Sequence, residues 1–127
     1  MSNRAVISTA AAPAAIGPYS QASKVGNTVW ISGQIPLDPN TMTCVSGGIE
    51  AETQQVFANL SAIAEAAGGQ LNDAVKINIS LTDLGNFATV NGIMEQHFDE
   101  PYPARACVEV AALPKGVAVE IEAILSL

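Results

Sequence analysis

The residues best suited to chemistry lie near the C-terminus, in the segment Pro103-Ala-Arg-Ala-Cys-Val-Glu-Val110. Arg105 keeps its charge at any working pH, so in an otherwise apolar strand it needs an anionic partner. That partner is either a protein carboxylate or the carboxylate or phosphate of a ligand. The segment itself is predicted to be a strand, because Val108 and Val110 alternate with Cys107 and Glu109.

A second predicted strand closes the chain and carries Glu120 and Glu122. If a turn near Pro114 joins the two strands in a hairpin, a register exists in which Cys107 lies opposite Glu120 and Arg105 lies opposite Glu122. All four polar side chains would then share one sheet face. A shift of one residue would separate them.

This predicted cluster has two interpretations. In the first, Arg105 forms a cross-strand salt bridge with a glutamate and has no further role. In the second, the cluster is a ligand site in which Arg105 grips a substrate carboxylate and Glu120 orients or deprotonates a water molecule. Cys107 then lines the pocket, or acts as a nucleophile if its pKa is depressed.

Composition restricts the class of protein. The chain has 127 residues, which predicts a single domain over 1–127, and it is 49% hydrophobic, enough for a packed core. The net charge is −7 and the five Lys and Arg residues are scattered, so a nucleic-acid partner is not expected. A single histidine and no Cys-x-x-Cys pair argue against a zinc site. No bilayer-length apolar run or signal peptide is recognised, and two cysteines are expected as reduced thiols, so we predict a cytoplasmic protein without membrane contact.

The elements that would position these residues follow from periodicity. Strands are predicted over residues 4–8, 23–25, 28–35, 75–82, 104–112 and 117–125, and helices over about 51–67 and from 87 to about 98. In the strand 75–82, Val75, Ile77, Ile79 and Leu81 are predicted to face the core. The order predicts an α+β domain with an antiparallel-rich sheet and both helices on one face.

Three further positions have both a functional and a structural interpretation. Gly33 lies inside a predicted strand, which indicates a bulge or the close approach of another backbone or a ligand. Tyr19 follows a Gly-Pro turn and points either into a cleft or into ordinary loop packing. Asn91 lies on the second helix, where its amide either donates to a ligand oxygen or meets solvent.

Several motifs, in order over nearly the whole chain, resemble the RidA/YjgF family of enamine/imine deaminases. They are Ile16-Gly-Pro-Tyr-Ser-Gln-Ala22, Ile31-Ser-Gly-Gln-Ile-Pro36, Gln54 through Asn59-Leu60, Phe87-Ala-Thr-Val-Asn91, Pro103-Ala-Arg-Ala-Cys-Val-Glu-Val-Ala111, Leu113-Pro114 and Val119-Glu-Ile-Glu-Ala123.

The resemblance implies a chorismate-mutase-like fold and a homotrimeric barrel with active sites in clefts between subunits. It implies hydrolysis of reactive 2-enamines and 2-imines, such as 2-aminoacrylate from pyridoxal-phosphate dehydratases, to 2-keto acids and ammonia. The substrate would be a small carboxylate, and the protein would need neither a cofactor nor a metal. One alternative is a module that binds 2-keto acids without catalysis. A second, a ribonuclease, is disfavoured by the net charge.

The resemblance also assigns roles to individual residues. Arg105 takes the position of the family's carboxylate-binding arginine, and Glu120 that of the glutamate that places the attacking water. The pocket-lining positions fall on Tyr19, Ser32, Asn91 and Cys107, and Gly33 falls on the backbone that approaches the ligand. There are two departures: Ala106 stands where many relatives have serine, and the compact segment 98–102 puts the substrate preference in question.

Overall fold

The computed structural model describes residues 4–127, so the first three residues of the predicted 1–127 domain lie outside the described range. Over this range the chain forms six strands and two α-helices. Their bounds are β1 Ala5–Ile7, β2 Ala22–Val25, β3 Thr28–Gln34, α1 Gly48–Ala66, β4 Ala74–Leu81, α2 Phe87–His97, β5 Ala104–Glu109 and β6 Val119–Ser126.

The strands form one mixed sheet in the order β1-β2-β3-β6-β4-β5. Every neighbouring pair is antiparallel except β4 and β5, which are parallel because α2 carries the chain back between them. Helix α1 packs against β3 and β6, and α2 packs against α1 on the same side. The α+β class, the antiparallel-rich sheet and the placement of both helices on one face are therefore confirmed.

The core lies between the helices and the sheet. The predicted apolar face of α1 is buried, as are the inward residues of β6, the central strand. Buried residues on these two elements include Val56, Leu60, Ile63, Ala64, Val119, Ile121, Ala123 and Leu125. Helix α1 ends just before Gly68, which adopts a φ of 96° that an L side chain rarely tolerates.

The predicted C-terminal hairpin is wrong. Strand β5 pairs in parallel with β4, and β6 inserts between β3 and β4, so β5 and β6 are not neighbours. The reason lies in the burial of the two strands. Every second residue of β6 is buried, which suits a central position, whereas β5 is mostly exposed on both faces and suits an edge.

Strand alternation fails at two bulges. In β3 the register shifts between Ile31 and Gln34, so Gln34 is buried, whereas strict alternation from the buried Ile31 would place it on the opposite face. The irregularity predicted at Gly33 is thereby confirmed. In β4 the register shifts between Ala74 and Lys76, so Val75 is 49% exposed instead of buried.

Across residues 4–127, neither helix combines the length and apolar character needed to cross a bilayer.

Candidate functional site

Arg105 lies at the start of the edge strand β5, with its side chain on the helix-covered side of the sheet. Its Nη1 donates to Asn91 Oδ1 at 2.5 Å and lies 3.8 Å from Met94 Sδ. The guanidinium carbon stands 5.1 Å from the centre of the Phe87 ring, a cation–π geometry. All of these partners are uncharged, and none of the hydrogen bonds of Arg105 within residues 4–127 is to a carboxylate, so the interpretation as a cross-strand salt bridge with a glutamate is wrong.

Helix α2 is what holds the guanidinium in place. Phe87, Asn91 and Met94 follow one another at helical spacing of four and three residues, which puts them on one face. A cavity of about 320 Å³ opens beside them, lined by Asn91, Met94, Glu95, Tyr102, Pro103 and Arg105. The contact of Phe87 with Arg105 was not predicted from the sequence. The shared helical face with Asn91 was the available signal.

Cys107 lies two residues beyond Arg105, on the same side of β5, and is half-buried. Burial raises the pKa of its thiol, while the positive charge of Arg105 acts in the opposite direction. The thiol is consequently the favoured form at neutral pH. This argues against the nucleophilic alternative.

Glu120 is the second residue of β6 and lies on the other side of the sheet. Burial raises the pKa of its carboxyl, and the neighbouring charge of Glu122 raises it further. The carboxylate rests directly against Gly33: a Cβ at that glycine would lie 2.8 Å from Glu120 Oε1. The missing side chain at Gly33 is what makes room for the acid.

Ser32 and Tyr19 stand next to Glu120. The Ser32 hydroxyl donates to the Ser20 carbonyl at 2.5 Å, and the Tyr19 hydroxyl accepts from the Ile16 N–H at 3.4 Å. Half of the Tyr19 surface is exposed. A second cavity, of about 400 Å³, is lined by Tyr19, Ser32, Gly33 and Glu120 together with Ile16 and Lys115.

The predicted residues therefore form two groups on opposite faces of the sheet. Arg105 pairs with Ile77 of β4, which faces the core, whereas Glu120 pairs with Ser80, which faces outward. Paired residues share a face. Glu122 also lies on the outward face, where it accepts from Asn78 Nδ2 at 3.0 Å. The prediction that Arg105, Cys107, Glu120 and Glu122 share one face is wrong.

Asn91 and Cys107 belong with Arg105, and Tyr19, Ser32 and Gly33 belong with Glu120. One copy of the chain thus presents the Arg105 group on one face and an acid-bearing half, which contains Glu120, on the other. Ala106 points away from Arg105, as strand alternation predicts, since it pairs with Asn78. Within residues 4–127, no group of three His, Cys, Asp or Glu side chains is placed to hold a metal ion.

Comparison with known proteins identifies the family. A family model described as endoribonuclease L-PSP, the RidA/YjgF family, matches residues 9–126. The chain belongs to the RidA/YjgF family. It is 51% identical over 121 residues to the human 2-iminobutanoate/2-iminopropanoate deaminase, covering 95% of this chain and 88% of the human protein.

Solved structures of RidA/YjgF proteins show the same fold. The crystal structure of RidA from an Antarctic Psychrobacter species is 59% identical, with a TM-score of 0.94 over 97% of this chain and 99% of that one. The structure of E. coli TdcF with bound serine is 43% identical, with a TM-score of 0.92 over 97% and 98% of the two chains.

Proposed function

We propose that this protein hydrolyses reactive 2-enamines and 2-imines, such as 2-aminoacrylate, to 2-keto acids and ammonia. The observation that carries the proposal is Arg105. Its guanidinium is held by Asn91, Met94 and Phe87, all uncharged, beside an open cavity. Such an arginine is prepared to receive a carboxylate from a ligand. The deaminase name of the human relative and the serine bound to E. coli TdcF support a small amino-acid-like substrate.

The chemistry requires few groups. Protonation of the enamine at C3 gives the iminium ion, and an imine reaches the same ion by protonation at nitrogen. In both cases C2 is electrophilic. Water adds to C2, its proton leaves, and the resulting carbinolamine expels ammonia as the C=O bond forms. The balance is one imine and one water in, and one keto acid and one ammonia out.

Glu120 is suited to the proton transfers in this scheme. Burial and Glu122 raise the pKa of this carboxyl, so its pKa lies closer to neutral pH than that of an exposed glutamate. The group can therefore both accept and return a proton. It would take a proton from the attacking water and deliver one to the departing nitrogen. Arg105 meanwhile fixes the substrate carboxylate, so that C2 and the water meet in a defined geometry. Cys107 lines the site as a neutral thiol.

We further propose that the working molecule is a homotrimeric barrel whose sites lie between subunits. Arg105 and Glu120 occupy opposite faces of one sheet, so a small substrate meets both only if they come from different copies. The sheet face without helices also exposes apolar side chains, including Val6, Trp30 and Val108, at 61%, 45% and 51%. A face of this kind is usually covered in an assembly. In a trimer whose helix-free sheet faces point toward its centre, these apolar side chains would be buried.

An alternative is a module that binds a small carboxylate without turning it over. The serine in E. coli TdcF favours it as much as it favours the enzyme. Arg105 serves both functions, whereas Glu120 matters chiefly for turnover. The ribonuclease activity in the family description is disfavoured by the net charge of −7 and the scattered basic residues. An RNA-binding assay at low salt that detects binding would restore it.

The deciding experiment is a coupled assay in which a pyridoxal-phosphate dehydratase makes 2-aminoacrylate from serine and pyruvate release is followed. We expect wild type to accelerate release, and Arg105→Ala and Glu120→Gln each to lose that acceleration. Glu65→Gln, the same chemical change on the exposed side of α1, should remain fully active. A chelator added after the dehydratase step should have no effect, since the family resemblance implies no metal.

Two outcomes would argue against the enzyme. If wild type leaves the release rate unchanged but pyruvate raises its Tm in an Arg105-dependent way, the binding module replaces the deaminase. If Glu120→Gln stays fully active, Glu120 does not handle the proton. The cytoplasmic location stays a prediction.

A further inference from the structure

The side chain of Gln21 is a buried primary amide. Only 4% of its surface is exposed. Its Oε1 accepts from the Thr9 N–H at 2.7 Å, and its Nε2 donates to the carbonyls of Thr9, Ala12 and Pro13 at 3.0, 3.3 and 2.8 Å. A primary amide has two donor hydrogens, so these three carbonyls share them. A single side chain therefore fixes the backbone of residues 9–13.

The backbone of Gln21 is tied to the acid-bearing half of the site. Its carbonyl accepts from the Ser32 N–H at 2.9 Å, and the Ser32 hydroxyl donates to the preceding carbonyl, that of Ser20, at 2.5 Å. Ser32 lies in the β3 bulge, beside Gly33, on which the Glu120 carboxylate rests. Gln21 thus links residues 9–13 to the strand that supports Glu120.

Between these two attachments lies the segment 14–19, which we call the tyrosine loop. All six of its residues are exposed, and Ala14, Ile16 and Tyr19 line the cavity that contains Glu120. Within the loop, the Tyr19 hydroxyl has only a long 3.4 Å bond to the Ile16 N–H, and the Tyr19 N–H bonds to Gly17. These hydrogen bonds lie within the loop, so they do not set its position over the cavity. That position depends on residues 9–13 and 20–21, which flank the loop.

We propose that Gln21 is a positioning residue: its side-chain amide holds the tyrosine loop over Glu120 and so sets the place of Tyr19 relative to the substrate. The inference rests on the proposed function for its kinetic consequence. Gln21 is not a catalytic residue, because its four side-chain hydrogen bonds all go to backbone groups of residues 9–13.

The test uses two variants of similar length. Gln21→Glu keeps the acceptor for Thr9 but cannot donate when ionised, so three carbonyls lose their partner. Gln21→Met removes all four bonds without adding charge, and covers the case in which the glutamate variant fails to fold. In both we expect kcat/KM for imine hydrolysis to fall on the order of tenfold, mainly through KM, because the displaced Tyr19 lines the substrate site and takes no part in the chemical step.

Gln96→Met is the matched control, since its amide bonds only to Gln54 on the surface of the helix pair. It should leave kcat and KM unchanged. Hydrogen exchange gives the second readout. The amides of residues 9–20 should exchange faster in the Gln21 variants, while those of α1 and β4 should stay as in wild type.

A double-mutant cycle with Tyr19→Ala separates positioning from a general structural role. If Gln21 acts through the loop, replacing it in the Tyr19→Ala background should cost much less than in wild type. The proposal is overturned if the two losses multiply, if exchange rises equally throughout the molecule, or if kcat/KM is unchanged in both Gln21 variants. If wild type itself has no deaminase activity, the proposed function fails and the exchange measurement alone decides. Acceleration confined to residues 9–20 then supports Gln21 as the anchor of the loop, and its absence overturns it.

Discussion

At the scale of single residues, the two groups proposed for catalysis are prepared in different ways. Arg105 is restrained by an amide, a thioether and an aromatic ring, which leave its charge uncompensated for a ligand. Glu120 is given space by Gly33 and an elevated pKa by burial and by Glu122. The position of the Arg105 guanidinium therefore depends on the side chains around it, whereas the Glu120 carboxylate depends on the absence of a side chain at Gly33.

Gly33→Ala tests the space left for Glu120. Gly33 does not have a positive φ, so the backbone accepts alanine. The new methyl, however, would lie 2.8 Å from Glu120 Oε1 and 2.9 Å from its Cδ. We expect the carboxylate to swing away, lowering kcat by about tenfold to a hundredfold while the fold is retained. Steady-state kinetics and circular dichroism provide the measurement.

The control for this change is Gly92→Ala in α2, where an added Cβ meets nothing within 4 Å. That variant should keep full activity and gain about 1 kcal/mol of unfolding free energy, as alanine does over glycine in a helix. Full activity in Gly33→Ala would show that the close approach of Glu120 to this glycine has no functional consequence.

At the scale of elements, α1 supports the acid-bearing half from behind. The buried Asn59 donates from Nδ2 to the carbonyls of Ile35 and Leu37 at 3.3 and 3.0 Å, which fixes the wall beyond β3. Glu52 Oε1 accepts from the Ala118 N–H at 3.0 Å, just before β6 begins. Polar side chains on one helix thus place the two segments that flank the Glu120 cavity.

The contact between α1 and α2 contains a titratable group, His97. Its Nε2 bonds to Gln54 Oε1 at 2.8 Å, its ring stacks on Phe57 with centroids 4.9 Å apart, and burial lowers its pKa from the usual 6.5. The folded state therefore binds fewer protons than the unfolded state below pH 6.5. The stabilisation is complete above pH 6.5 and is lost as the pH falls through the lowered pKa.

We accordingly expect the unfolding free energy of wild type to fall from pH 7 to pH 5 more steeply than that of His97→Gln. Urea denaturation at fixed protein concentration measures this. His97 is the only histidine in the sequence, so its NMR titration is unambiguous. A midpoint at or above 6.5 would contradict the burial argument.

At the scale of the whole molecule, the question is whether Arg105 and Glu120 act together across an interface. A mixed-subunit experiment answers it, because Arg105→Ala and Glu120→Gln each leave the other half intact. In a random equal mixture assembled into closed three-fold rings, about a quarter of the interfaces would combine an intact arginine with an intact glutamate. Co-expression of the two inactive variants should therefore restore about a quarter of wild-type activity.

Each variant expressed alone by the same procedure is the control and should stay inactive. If the mixture is also inactive while light scattering shows mixed assemblies, both groups act within one copy and the intersubunit site is wrong. If light scattering finds only monomers, the trimer itself is wrong.

Much of the local structure could be predicted from the sequence, because it depends on neighbouring residues. The helical period located α1 and α2, and strand alternation located β6. Gly33, inside β3, indicated the bulge. Carboxylate binding by Arg105 and proton transfer by Glu120 stay predictions.

The relation between those two positions was decided only by the tertiary structure. Strand order depends on contacts between distant parts of the chain, and the insertion of β6 between β3 and β4 replaced the predicted hairpin. That change sent Arg105 and Glu120 to opposite faces. The contacts of Gln21 and Phe87 could not be predicted for the same reason. Their partners are 8 to 18 residues away in sequence and are brought close only by folding. Periodicity reports which side of an element is buried, but register and neighbours are set by packing across the whole sheet.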